Sequence, residues 1–258
     1  MKNSQKKNPR FNPEANWFGY EQVAPEEKTR RVKSVFSSVA GNYDLMNDLM
    51  SLGIHRLWKR TLLRHVNPQA GEKFLDVAGG TGDVALGIVG RTDGKADVTV
   101  CDLNPEMLEV GRNRAIDRGW PRAIEWVEGN AETLPFSARA FDCYTIAFGL
   151  RNVTHIDRAL AEAARVLKPG GRFFCLEFAP VEEKGLKEIY DLYSFTILPW
   201  LGDKVAGDRA SYQYLAESIR QFPAPDALKS RLETAGFSQV RYTKLTGGIA
   251  VLHEAIRI

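Results

Sequence analysis

From Lys73 onward the chain alternates short apolar runs with spans of helical periodicity, and few folds accommodate that rhythm. KFLDVAG, DVTVCDL, AIEWVEG, FDCYTIAF and GRFFCLEF read as strands, rich in β-branched and aromatic residues and bounded by turn formers. Between them, PEMLEVGRNRAIDRG and HIDRALAEAARVLKPGG carry apolar residues at helical spacing and end in Gly or Pro-Gly. Strands joined through helices cross over right-handed and pair in parallel. The expected class is therefore α/β, a doubly wound Rossmann-like sheet with helices on both faces. The C-terminus departs from the pattern. After the helix-like PDALKSRLETAGF come SQVRYTKL and IAVLHEAIRI, joined by Thr246-Gly247-Gly248, a hairpin signal that makes the last strand antiparallel.

Upstream of this region, PEEKTRRVKSVFSSVAGNYD reads as a helix. Pro25 and the acids Glu26 and Glu27 suit its first turn, Val32, Val35, Phe36 and Val39 share a face, and Gly41 suits its end. A second helix, containing IHRLWKRTLLRHV, leads into the turn NPQAG. Residues 1–16 read as a basic flexible tail, since MKNSQKKNPR holds four Lys/Arg and no acid; residues 17–258 read as a single domain. A net charge of +3 on 258 residues argues for no nucleic-acid partner, and 44% hydrophobic residues suffice for a sizeable core.

The N-terminus lacks an apolar stretch after its basic residues, so no signal peptide is expected. The longest uncharged apolar run, LYSFTILPWLG from Leu192, falls well short of the ~20 residues that span a bilayer. Cys101, Cys143 and Cys175 sit inside apolar runs and form no C-x-x-C pair, which predicts reduced core thiols and no metal site. These features together predict a cytoplasmic protein.

The stretch FLDVAGGTGD packs Gly79, Gly80 and Gly82 between a strand and a helix, where backbone passes close to a nucleotide. Gly80, Gly82 and Ala85 satisfy a loose G-x-G-x-x-A pattern, so spacing alone admits NAD(P). Two acids argue otherwise. Asp76 ends the strand just before the glycines, and a fixed negative charge there repels a pyrophosphate and attracts a methionine ammonium. Asp102 ends the next strand, where a carboxylate accepts both hydroxyls of a ribose. S-adenosyl-L-methionine, with a cationic sulfonium and no phosphate, is the expected cofactor. The plainer readings are a loop anchor for Asp76 and a helix N-cap for Asp102 ahead of Pro105. GNAETLPF places Asn130 and Ala131 toward the adenine, and AFGLRNV leaves the fourth strand at its carboxyl end, so these loops converge on one crevice.

At YDLMNDLMSLGIHRLWKR, at FLDVAGGTGD with CDLNPEML, at FGLRNVTHIDRALAEAARVLKPGG and at YQYLAESIRQFP, the chain resembles the UbiE-type quinone C-methyltransferases. These are class I S-adenosylmethionine-dependent methyltransferases that methylate a ring carbon of polyprenylated quinol precursors in ubiquinone and menaquinone synthesis. The resemblance runs from about Trp17 to the C-terminus. It implies a seven-stranded sheet of order 3-2-1-4-5-7-6, a cofactor contact from Thr81 within the Gly79–Gly82 loop, a ribose ligand in Asp102, and an adenine side lined by Asn130 and Ala131. Ala147 and Ala179 stand where the family favours serine, so a hydroxyl contact is missing at each.

Methyl transfer to carbon is chiefly a matter of alignment, with a group to hold or accept a proton from the acceptor ring. Arg151 is a candidate to stabilise a quinolate and Asn152 to orient a water or ring oxygen, with Tyr43 and His155 as further hydrogen-bonding candidates. Tyr43 reads equally as the end of the N-terminal helix, and His155 as the start of the next. An insertion at about 178–225 contains IYDLYSFTILPWLGDKV. Its Tyr193, Phe195, Ile197, Leu198 and Trp200 suit a trough for an isoprenoid tail or a bilayer interface, and equally a core helix or a homodimer contact. The implied partners are a polyprenylated quinol, other quinone-biosynthesis enzymes and the inner face of a membrane, touched peripherally. The rival readings are a methyltransferase of another small phenol, sterol or lipid, and a non-catalytic cofactor-binding scaffold.

Overall fold

A computed structural model describes residues 16–39, 48, 51, 53–181, 188 and 209–258. Seven strands form the main sheet: β1 Lys73–Val77, β2 Asp97–Asp102, β3 Ile124–Glu128, β4 Phe141–Ala147, β5 Leu167–Phe178, β6 Phe237–Leu245 and β7 Ala250–Arg257. Their spatial order is β3-β2-β1-β4-β5-β7-β6. Pairings among β1 to β5 are parallel, and β7 runs antiparallel between β5 and β6. This is the expected class and the expected order. The direction of winding reverses between β1 and β4, the position where such sheets open a crevice at the strands' carboxyl ends.

The helices are α1 Pro25–Val39, α2 His55–Val66, α3 Asp83–Arg91, α4 Pro105–Asp117, α5 Ile156–Val166, α6 Arg209–Gln221 and α7 Pro225–Thr234. Because side chains alternate across a strand, neighbouring residues feed opposite layers. Phe74, Val98, Cys143 and Phe174 bury against one layer with Leu62 of α2 and Ile88 of α3. Leu75, Val77, Tyr144 and Phe173 bury against the other with Leu160 of α5 and Leu228 of α7. Each such side chain, fully withdrawn from water, contributes roughly 1.5–3 kcal/mol. The cysteines belong to these layers, and burial pushes the Cys101 and Cys143 thiols up to about 12.

Local chemistry sets the element ends. Asn104, not Asp102, caps α4: its Oδ1 accepts from the Glu106 and Met107 amides, with Pro105 in the first turn. Helix α5 ends at Val166, earlier than its Pro-Gly stop, and Leu167 is already extended. The clash that Pro169 imposes on Lys168 accounts for this, and Lys168–Gly171 bulge out before regular pairing resumes at Arg172. A short antiparallel ribbon, Trp17–Phe18 with Glu21–Gln22, pins the N-terminal side, with Phe18 stacked on Tyr214 of α6 at 4.1 Å between ring centroids. Tyr43, Gly41, the tail and the aromatic run of the insertion lie outside the described residues.

Candidate active site

The glycine loop leaves β1 and turns into α3 with backbone that side chains resist. Gly80 has φ +54°, and a Cβ on it would lie 3.0 Å from Met107 Cε; one on Gly82, at φ +77°, would lie 2.5 Å from the Trp126 ring. A Cβ on Gly79 would press to 2.8 Å from Asp76 Oδ2, so the loop rests directly on that carboxylate.

Asp102 organises the upper side. Its Oδ2 accepts from the Gly80 amide at 2.8 Å and its Oδ1 from the Asn104 amide at 2.9 Å. A carboxylate has about four lone-pair sites, so two remain for a diol. Burial raises the Asp102 pKa, opposed by those same amides. Asp102 shares the crevice with Gly80, Asn130, Ala131 and Asn152. Four sequence-predicted residues from three loops thus meet on one surface, with Gly80 beside them. Asn130 Oδ1 accepts from the Glu132 amide at 2.9 Å, which fixes its loop and leaves its NH₂ to donate.

Asp76 lies deeper and is almost fully buried. Its Oδ1 accepts from the Thr145 hydroxyl at 2.7 Å, while Oδ2 has no hydrogen-bond partner among the described residues. Burial, partly offset by Thr145 and by the charge of Lys59, holds this carboxyl at about 7. Asp76, Gly79 and Thr81 line a recess with Lys59 and Asp83. There Lys59 Nζ lies 2.6 Å from Asp83 Oδ2, and Arg114 donates to the Thr81 hydroxyl at 2.6 Å. Thr81 therefore borders this lower recess and not the main crevice, with its own proton still available to donate.

Helix α1 forms the outer wall through Thr29, Val32, Lys33 and Phe36. Sequence periodicity shows its apolar face but not what that face covers. It is fastened at both ends: Lys28 Nζ donates to the Val153 carbonyl at 2.9 Å, and Asn104 Nδ2 donates to Ser37 Oγ at 3.0 Å.

Arg151 and Asn152 part company in space. Asn152 lines the crevice, with Oδ1 accepting from the Tyr214 hydroxyl at 3.0 Å. Arg151 turns away: its guanidinium meets Glu177 Oε1 at 2.6 Å and the Phe148 carbonyl at 2.7 Å, and lies over the Phe178 ring. The Arg151 amide also donates to Glu177, at 3.2 Å. Enclosed in this way, Arg151 anchors the loop that carries Asn152, and the geometry does not offer its charge to the crevice. His155 occupies the N-cap position of α5, its amide on Glu132 Oε1 at 3.1 Å, and faces a different cavity. Sequence reasoning missed Lys59, Thr145, Glu132 and Glu177, whose roles depend on strand neighbours and loop packing that no local pattern announces.

The profile of the ubiE/COQ5 methyltransferase family matches residues 23–257. The chain is 51% identical to the ubiquinone/menaquinone biosynthesis C-methyltransferase UbiE of Rhodopseudomonas palustris, over 95% of this chain and 98% of that one. It is 50% identical to the mitochondrial 2-methoxy-6-polyprenyl-1,4-benzoquinol methylase of Oryza sativa, over 95% of this chain and 89% of that one. The human protein of the same description is 47% identical over 93% and 84%. Among solved structures, an S-adenosylmethionine-dependent methyltransferase of Thermotoga maritima superposes with a TM-score of 0.62 at 17% identity, covering 88% of this chain and all of that one. That likeness concerns the fold. The profile spans most of the chain and the relatives match it nearly end to end: the chain belongs to the ubiE/COQ5 methyltransferase family.

Proposed function

We propose that this protein uses S-adenosyl-L-methionine to methylate a ring carbon of a polyprenylated benzoquinol or demethylmenaquinol in quinone biosynthesis. The observation that carries the cofactor assignment is the buried Asp76 Oδ2, unpartnered directly beneath the glycine loop. A carboxyl that ionises at about 7 there is drawn into its charged form by a cationic group and, once charged, opposes a pyrophosphate. The relatives' names support the acceptor class.

When bound, S-adenosylmethionine supplies a methyl group on a positively charged sulfur. The chain's own residues supply position. Asp102 offers its two remaining lone-pair sites to the ribose, Asn130 and Ala131 border the adenine, and Thr81 and Asp76 serve the amino-acid end. Asn152, held by Tyr214 and with one N–H toward the Phe148 carbonyl at 3.4 Å, has its second N–H to offer the acceptor's oxygen. Helix α1 excludes water from the crevice, which strengthens each of these contacts. Arg151 acts through the loop it anchors. An isoprenoid-bearing acceptor brings the enzyme to a membrane surface as a peripheral protein on the cytoplasmic side. No helix among the described residues is long and apolar enough to cross a membrane.

Calorimetric titration with S-adenosylmethionine, then turnover with a short-chain quinol, tests the reading. Tight uptake of NADH with no response to S-adenosylmethionine would overturn it. Binding without turnover on any quinol would reduce the chain to a scaffold.

A further inference from the structure

On the far side of the loop at Val153 and Thr154 lies a second cavity, of about 380 Å³, bounded by the N-terminal ribbon and helices α1, α5, α6 and α7. Its lining is rich in basic side chains: Lys28, Arg151, His155, Arg158 and Arg231 all border it. Among the described residues Asp157 is the single acid in that lining, engaged by Arg231 at 3.3 Å, and Arg151 is already paired with Glu177.

Three observations show donors in excess of acceptors. Lys28 is buried, and its ammonium donates to the neutral Val153 carbonyl; Glu132 acts on it electrostatically without an ion-pair contact among the described residues, its Oε1 being taken by the Thr154 and His155 amides. A buried cation so weakly compensated is costly, and an arriving anion recovers part of that cost. Two buried N–H donors, Arg151 Nε and Trp17 Nε1, have no acceptor among the described residues although both residues border the cavity. The eleven-residue helix α5 opens here; Glu132 receives the Thr154 and His155 amides just before it, whereas the Ile156, Asp157 and Arg158 amides of its first turn have no side-chain acceptor among the described residues. Such a first turn carries a partial positive charge. Donors thus converge from several elements with few acceptors to receive them, an arrangement that suits an oxyanion with several equivalent oxygens. Trp17, Phe222 and Pro223 add an apolar wall for an organic remainder.

We propose that this cavity is a binding site for a phosphate-bearing small molecule, separate from the methyl-transfer crevice. Because Val153 and Thr154 border both spaces, and Lys28 holds Val153 to α1, an occupant here is mechanically joined to the wall of the crevice.

The test is calorimetric titration of the full chain with inorganic pyrophosphate, run without S-adenosylmethionine so that it is independent of the proposed activity. The expected result is one site per chain, weakened about tenfold or more in Arg158→Glu, since a charge-assisted contact becomes a repulsion. Arg158 is exposed and has no hydrogen bond or ion pair among the described residues, so this variant folds. Arg118→Glu, the same charge change on an exposed residue of another face, is expected to leave affinity within about twofold. Vesicles containing phosphatidylglycerol identify the source of the phosphate. Flotation of the wild type and not of Arg158→Glu assigns a lipid headgroup, whereas pyrophosphate binding without flotation assigns a soluble phosphate ester. Absence of pyrophosphate binding at millimolar concentration, or equal weakening by Arg158→Glu and Arg118→Glu, would overturn the proposal.

Discussion

The Arg151 guanidinium lies 2.6 Å from the Glu177 carboxylate, and both side chains are almost wholly out of water. Arg151 lies in the turn that follows β4 and Glu177 near the end of β5, so the pair ties the loop after β4 to β5. Removing one member leaves a buried charge without compensation, which costs about 3–5 kcal/mol. Arg151→Ala is therefore expected to lower the unfolding free energy by about that much in urea denaturation, together with turnover. A variant that kept its midpoint and lost only turnover would place the guanidinium on the acceptor instead.

Asp76 predicts a proton linkage. Its folded pKa of about 7 exceeds its unfolded value, so the stability it contributes is complete below pH ~4 and declines as pH rises through about 7. A cationic ligand draws that pKa down, and binding near pH 6.5 therefore releases part of a proton, with affinity rising from about pH 5 to 8. Calorimetry in buffers of different ionisation enthalpy measures the release. It should vanish in Asp76→Asn, and its absence in the wild type would remove Asp76 from the cofactor's amino-acid end.

Asp102→Ala removes two amide acceptors along with the lone pairs offered to the crevice. Charge-assisted hydrogen bonds contribute about 1.5–3 kcal/mol each, so the loss of two should lower S-adenosylmethionine affinity by roughly a hundredfold or more. Asp102→Asn, which keeps one acceptor, should lose less. Equal affinity in all three proteins by calorimetry would contradict the ribose assignment.

Tyr214→Phe deletes the hydroxyl that holds Asn152 Oδ1. The expected cost in stability is about 1 kcal/mol, with turnover reduced several-fold and cofactor affinity unchanged. Steady-state kinetics that showed only a raised KM for the cofactor would assign Asn152 to the cofactor and not to the acceptor.

The layered architecture was legible because each strand announces itself by composition and each crossover by helical spacing. The hairpin at Thr246–Gly248 was equally plain. Asp102 was legible too, since a strand-terminal acid opposite a glycine loop has a position fixed by topology. Arg151 was not. Its placement beside Asn152 in sequence suggested a shared task, whereas the 3₁₀ turn Leu150–Asn152 sends the two side chains in different directions. Its partner stands 26 residues away, joined only by the pairing of β4 with β5. Thr145 and Lys59 were hidden for the same reason: each meets its acid across elements, and nothing in their own neighbourhoods marks them.

Asn104 has a consequence for how the protein opens. Through one side chain it starts α4 and holds α1, and through its amide it holds Asp102. Any swing of α1 that admits a nucleoside or lets a spent one leave must first release this three-way knot. The same residue that seats Asp102 thereby also latches one end of the wall, while Lys28 latches the other.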